Sequence, residues 1–263
     1  MDVGLLGSGH IARALALGWS RSNIPVHERR ALHFYDLVEE RAADLARECG
    51  GQHVASAAQL VASARIVVLA VRPPDVAAAL ADVRSQVQGK LVVSLAAGLS
   101  VAVLAGSLPA TTQVGRIMPN VAVAVGKGLL LLAPGTLGGG IGEVEGLFGL
   151  VGEVVTIDEA LFDAATALSG CGPGFAALFL AALEKGGRAA GLAAETAHRL
   201  AVGALAGAAA LGGPEPDPEA IVRAVCSPGG MTAAGIAVLE AGRVPQSVAA
   251  AVLAAVEQAS RLA

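Results

Sequence analysis

The stretch Val3-Gly4-Leu5-Leu6-Gly7-Ser8-Gly9-His10-Ile11-Ala12 constrains this chain more than any other. Val3 to Leu6 is a short apolar run and reads as a buried strand. The run breaks at Gly7. From His10 onward apolar residues return at helical spacing, with Ile11, Ala14, Leu15, Gly18 and Trp19 on one face. The loop between fits G-x-G-x-x-A, the dinucleotide fingerprint. Gly7 permits a tight turn, Gly9 leaves room for a pyrophosphate, and Ala12 lets helix and strand pack closely. Phosphates would sit on unpaired N–H groups at the helix start, so Gly7, Ser8, Gly9, His10 and Ile11 are candidate cofactor contacts. A chain with 34 glycines makes such turns often. The position of this one, between a strand and a helix, separates it from an ordinary turn.

The following segments extend the same pattern. Leu32-His33-Phe34-Tyr35-Asp36 reads as a strand ending in an acid. Asp36 stands a little beyond the ~20-residue offset at which a carboxylate binds the ribose hydroxyls and repels a 2'-phosphate. The same carboxylate is placed to N-cap a helix predicted over Glu39–Cys49, and the two roles are compatible. Ile66 to Val71 is unbroken and β-branched, as in a central parallel strand. It runs into Arg72-Pro73-Pro74, and Val76, Leu80, Val83 and Val87 then form one stripe. Ligands of doubly wound sheets bind at strand C-terminal ends, so Arg72 stands either near a cofactor or as a solvated loop cation. Further strands are expected at Leu91–Leu95, Val114–Met118, Leu129–Leu132 and Glu153–Ile157, with a helix near Ile141–Leu150. The alternation predicts a mostly parallel sheet over residues 1–157.

At Asp158 the pattern changes, and residues 158–263 show no strand signal. Asp158 can cap a helix through about Leu168. Gly170-Cys171-Gly172-Pro173-Gly174 breaks it, and a second apolar helix runs to about Ala190. Gly212-Gly213-Pro214, with Pro216 and Pro218, reads as a loop, and Ala-rich helices fill the remainder. These helices are too apolar all round to be solvated on one face, which predicts an α-helical domain buried against a second copy. Ser227-Pro228-Gly229-Gly230-Met231-Thr232 precedes a helix to about Ala241. By spacing alone it is either an anion site on exposed N–H groups or an interhelical turn capped near Thr232.

Composition narrows the function classes. The chain is 54% hydrophobic and 15% charged, with a net charge of -4 and no Lys/Arg cluster, so nucleic acid is not an expected partner. The mean hydropathy of +0.65 raises the question of a membrane. The longest uncharged run, Leu91 to Gly115, is long enough to span one, but its Ser, Gly, Pro, Thr and Gln residues divide it into strand, helix and strand. No signal peptide is expected at the N-terminus, which the fingerprint occupies. Cys49, Cys171 and Cys226 lie far apart without C-x-x-C, as suits a cytoplasmic protein. His10, His27, His33, His53 and His198 form no ligand spacing, and no metal site is expected.

Six segments now stand in order: Gly7-Ser8-Gly9, Ala70-Val71-Arg72-Pro73, Ser94-Leu95-Ala96-Ala97-Gly98, Arg116-Ile117-Met118-Pro119-Asn120, Leu168-Ser169-Gly170-Cys171-Gly172-Pro173 and Ser227-Pro228-Gly229-Gly230-Met231-Thr232. Together they resemble the pyrroline-5-carboxylate reductases over essentially the whole chain. R-x-M-P-N and S-P-G-G-x-T are the specific segments. The resemblance implies a Rossmann domain, an interleaved helical dimer or higher oligomer, and a site between one subunit's nucleotide domain and its partner's helices. It implies hydride transfer from NAD(P)H to the C=N carbon of a five-membered cyclic imino acid. It places the substrate carboxylate on the backbone after Gly230, among Ser227, Gly229, Met231 and Ala233, and the ring nitrogen near the Thr232 hydroxyl. It places the cofactor against Ala70, Val71, Arg72 and Pro73 and around Ala97 and Gly98, and Asn120 near the nicotinamide.

The chain departs from the family pattern at Leu37, where relatives often carry arginine for a 2'-phosphate. With Asp36 beside it, this leans the expected cofactor toward NADH rather than NADPH. Arg72 replaces the commoner lysine, and Met231 and Gly174 also differ. The chemistry agrees with the residues, because a protonated imine is already electrophilic and needs orientation rather than a strong acid. Three rivals remain at this stage: a nucleotide-sensing homologue without turnover, a reductase of another cyclic imine, and a β-hydroxyacid dehydrogenase. The last requires a lysine in the second domain, where Lys185 is the only one.

Overall fold

The computed structural model describes residues 2–22, 31–212 and 217–262. The expected loop residues 213–216 and His27 lie outside the described residues. Two compact units are present, Met1–Cys171 with Ala255–Ala263, and Gly172–Ala254.

The first unit is built on eight strands: β1 (Val3–Leu6), β2 (Leu32–Tyr35), β3 (Gln52–His53), β4 (Ile66–Leu69), β5 (Leu91–Ser94), β6 (Gln113–Pro119), β7 (Gly128–Ala133) and β8 (Gly152–Thr156). Their order is β3-β2-β1-β4-β5-β6-β7-β8, and neighbours pair parallel except β6 with β7. The sheet's middle strands are apolar on both faces because helices cover both. Alternate residues feed two cores. Leu5, Val68 and Val93 join the one under α1 (His10–Arg21), α2 (Glu39–Cys49) and α6 (Ile141–Phe148). Leu6, Val67, Leu69 and Val92 join the one under α3 (Ala57–Ser63), α4 (Val76–Ala81), α5 (Val101–Gly106) and α7 (Phe162–Ser169). Leu91 to Gly115 is β5, α5 and the start of β6, as expected of a buried βαβ segment.

Trp19 anchors the first core. Its indole N–H donates to the Leu147 carbonyl at 2.9 Å, and its ring meets Phe148 edge-on at 5.4 Å. Val76, Leu80, Val83 and Val87 are all buried as one stripe, although regular helix ends at Ala81.

The first unit reaches past the 157/158 boundary expected from the sequence. α7 packs on β7, and Phe162 is fully buried in the second core, so the first helix after the sheet belongs to the sheet. The break within 170–174 is also shorter than expected. α8 (Gly172–Ala189) begins inside it, because Pro173 sits in a first turn that has no use for its missing N–H.

The second unit holds α8, α9 (Ala194–Leu211), α10 (Pro218–Val225), α11 (Met231–Ala241) and most of α12 (Val244–Leu262). α8 and α9 form a hairpin closed on small residues. Ala197 and Ala201 are buried, and Gly187 lies against Ala197. His198 Nδ1 meets Glu184 Oε1 at 2.7 Å on its rim. Leu178, Leu200, Val238 and Leu253 stand more than half exposed on this unit.

Candidate active site

β1 delivers the chain to Gly7, whose φ of 98° few other residues adopt. Its N–H donates to the Tyr35 carbonyl at 2.8 Å. A Cβ there would lie 2.7 Å from the Ala70 carbonyl oxygen and 2.9 Å from Val71 Cγ1. Gly9 is the opposite case. It is the N-cap of α1 with ordinary extended backbone, and a Cβ there would meet nothing within 4 Å. Gly7 therefore serves the fold, and Gly9 leaves space open. The N–H groups of His10, Ile11 and Ala12 precede Arg13, the first helical donor, whose N–H bonds the Gly9 carbonyl, and the first turn carries no acid to oppose an anion. The Ser8 hydroxyl is buried without a partner at the same turn. An open position, free first-turn donors and an orphaned hydroxyl fit a dinucleotide's phosphates.

Asp36 closes this turn. Oδ2 accepts the Ser8 N–H at 2.8 Å and Oδ1 accepts the Val38 N–H at 2.9 Å. It does not cap α2, whose N-cap is Val38 without a side-chain bond. Two N–H bonds leave carboxylate lone pairs for further donors. Leu37 beside it is 91% exposed, and Arg41 is exposed on α2.

The ends of β4 and β5 lie alongside. The Ala70 N–H donates to Leu6 and the Leu95 N–H to Leu69, so 70–73 adjoins the fingerprint turn and 95–98 lies one strand further along, at the same end of the sheet. Arg72 is exposed, and its Nε holds Asp75 at 2.8 Å. Pro73 opens a 3-10 turn. The Ser94 hydroxyl accepts the Ala96 N–H at 3.1 Å. Ala97 and Gly98 are exposed, the latter at φ 71°.

Asn120 is nearly buried, and its amide is occupied within the first unit. Oδ1 accepts the N–H groups of Ala122 and Leu129, each at 3.2 Å, and Nδ2 donates to the Ser169 carbonyl at 3.0 Å. It clips the end of α7 to the turn after β6. Arg116, four residues earlier, is 4% exposed; the sequence marks it as the first residue of R-x-M-P-N but gives it no task. Its guanidinium lies over the Phe162 ring at 4.5 Å and 3.6 Å from Glu159 Oε1. Burial pulls this guanidinium below its usual range, opposed by Glu159 and Asp163. Burial likewise pushes the Cys49 thiol up to about 11, so it stays protonated at neutral pH.

In the second unit the chain turns at Ser227–Gly230. Gly229 has φ 71°, and the Gly230 N–H donates to the Ser227 carbonyl at 2.9 Å. A Cβ on Gly230 would strike the Ser227 hydroxyl. Gly230 is the N-cap of α11, and no side chain caps that helix. Thr232 is thus a second-position residue, exposed, and not the cap. Met231 is 94% exposed, Ala233 is half-buried, and their N–H groups share the free first turn with that of Thr232.

Comparison with known proteins gives this geometry a lineage. Residues 2–98 match a family model described as NADP oxidoreductase coenzyme F420-dependent. Residues 159–262 match one described as pyrroline-5-carboxylate reductase dimerisation. The pyrroline-5-carboxylate reductase of Mycobacterium leprae is 36% identical over 96% of this chain and 94% of its own. The crystal structure of the Plasmodium falciparum pyrroline carboxylate reductase with NADP bound superposes with a TM-score of 0.87. It is 26% identical, over 100% of this chain and 98% of that one. A Coxiella burnetii pyrroline-5-carboxylate reductase gives 0.84 at 28% identity, over 100% and 98%. With a nucleotide-type turn in its first unit, a Ser-Pro-Gly-Gly turn in its second and relatives matched from end to end, this chain is an NAD(P)H-dependent oxidoreductase and belongs to the pyrroline-5-carboxylate reductase family.

Proposed function

We propose that the protein reduces L-1-pyrroline-5-carboxylate to L-proline. The turn at Ser227–Ala233 carries this reading, because the nucleotide half alone is common to many oxidoreductases. Three free N–H groups at the start of α11 suit a carboxylate, and Thr232 sets a hydroxyl one residue inside. A cyclic imino acid offers a carboxylate and a ring nitrogen on adjacent ring atoms. The N–H groups of Met231, Thr232 and Ala233 hold the carboxylate, and the Thr232 hydroxyl bonds the ring nitrogen, fixing which face of the imine carbon is presented. The fingerprint turn and the loops 70–73 and 95–98 hold the nicotinamide cofactor, which when bound supplies the hydride. The test is oxidation of NADH and NADPH by pyrroline-5-carboxylate and by its six-membered analogue. Turnover confined to the six-membered ring, or to neither, overturns the proposal.

NADH is the proposed preferred cofactor. What supports this is the Asp36 carboxylate, bonded to the Ser8 N–H of the fingerprint turn, which would repel a 2'-phosphate there, and exposed Leu37, which offers no cation to offset it. Leu37→Arg is expected to raise kcat/KM with NADPH by about tenfold, the worth of one charge-assisted hydrogen bond, while leaving NADH nearly unchanged. A native preference for NADPH by a hundredfold, measured in parallel kinetics, would sink this assignment.

The active form is proposed to be a homodimer or a larger assembly of dimers, in the cytoplasm. Glu159–Ala189 holds an 18-residue stretch apolar enough by composition to cross a bilayer, and only 11% of that stretch is buried within the chain. It lies within the segment matched as a dimerisation domain, so burial against a second copy accounts for its apolarity. Light scattering in detergent-free buffer is expected to give at least twice the 25.9 kDa chain mass. A stable, active monomer at micromolar concentration would contradict it.

A further inference from the structure

We propose that Arg116 and Glu159 are positioning residues for the cofactor-side loop 95–100, acting through the backbone N–H of Val101. The proposal rests on reading Ala97 and Gly98 as cofactor contacts. Burying a guanidinium is costly unless it is paired and hydrogen-bonded. Arg116 is buried in β6 with its Nε unpartnered, its face on Phe162 and one ion-pair neighbour, Glu159, at 3.6 Å. That arrangement is a poor stabiliser by itself. What it does is fix the Glu159 carboxylate, and Glu159 Oε1 accepts the Val101 N–H at 2.8 Å. Val101 is the first residue of α5, directly after the loop.

The near end of the loop is held from the same place. Ser94 is in register with Arg116 across β5 and β6, and its hydroxyl accepts the Ala96 N–H. Loop 95–100 is therefore strung between two hydrogen bonds, one beside Arg116 and one on its ion partner. The exposed Ala97 and Gly98 lie between these anchors. Glu159 belongs to the short 3-10 turn leading into α7, so the start of that helix sets the seat of the loop.

The experiment compares Glu159→Ala, Glu159→Gln and Ala97→Phe. Each is titrated with NADH and NADPH by nucleotide fluorescence, assayed with the cyclic imine, and melted by circular dichroism. Ala97 is exposed and Glu159 partly so, and the melt reads what Glu159→Ala costs by leaving the buried Arg116 without its ion-pair neighbour, a cost that Glu159→Gln reduces by keeping a hydrogen-bond acceptor there. Glu159→Ala should raise the cofactor's Kd and KM about five- to tenfold, with the imine's KM held within about twofold. Glu159→Gln keeps an oxygen to accept the Val101 N–H and should recover native cofactor binding. A Gln variant as weak as the Ala variant overturns the proposal. So does native-like cofactor binding by Glu159→Ala while Ala97→Phe binds weakly, which leaves the loop reading standing. Native-like binding by Ala97→Phe removes the loop reading and the proposal with it.

Discussion

Thr232→Ala is expected to lower kcat/KM by about 10- to 150-fold. Its hydroxyl would bond the ring nitrogen as that atom passes from imine to amine. Losing a hydrogen bond to a charged group costs roughly 1.5–3 kcal/mol, and each 1.36 kcal/mol is about tenfold in rate. The competing role, a helix cap, belongs to Gly230. Loss of a cap would cost ~1 kcal/mol of stability and leave the rate nearly alone. Steady-state kinetics beside a far-ultraviolet melt of the same variant separates the two. A near-native kcat/KM with a lowered melting temperature removes Thr232 from the site.

Gly9→Val and Gly7→Val should fail in opposite ways. Gly9 faces open space with unstrained backbone, so the folded protein accepts a side chain there. The phosphates then lose their approach to the helix N–H groups. Two charge-assisted bonds of roughly 1.5–3 kcal/mol each amount to about a hundredfold or more in cofactor affinity. Gly7→Val meets the Ala70 backbone and demands φ 98° of a β-branched residue. Its cost is several kcal/mol, on the order of what a single mutation needs to unfold a marginal domain. Calorimetric titration with cofactor and a thermal melt should therefore show one variant folded but empty and the other unfolded. A Gly9→Val protein with native cofactor affinity would remove the fingerprint from the site.

The central parallel strands β1, β4 and β5 were legible because each is buried on both faces and so reads as an unbroken apolar run. β3 was not, because Gln52-His53 is too short and polar to carry a pattern. Nor was the reversal at β7: strand direction is set by the connection, and the chain from Val121 to Val125 folds as a 3-10 turn rather than a crossover helix. The domain boundary was read where strands stop. Packing continues to α7, which only the partners of Phe162 reveal. At the site, the two glycine turns announced themselves by residue type. The tasks of Asp36, Asn120 and Arg116 depend on contacts 28, 49 and 43 residues away in sequence, at Ser8, Ser169 and Glu159. One sequence displays no pairing at such separations.

The lodging of Trp19 between α1 and α6 decides what spectroscopy can see. The chain has one tryptophan and one tyrosine, Trp19 and Tyr35, and both belong to the first unit. The second unit carries only Phe175 and Phe179 as aromatics. Indole emission is then a reporter of the unit that holds the sheet, and quenching of Trp19 by a reduced nicotinamide is the expected optical signal of cofactor binding to that unit. Melting of α8 to α11 has no tryptophan or tyrosine of its own to report it. A fluorescence transition and a helix-weighted circular dichroism transition need not coincide in this protein. Their spacing measures how tightly the two units are coupled in unfolding.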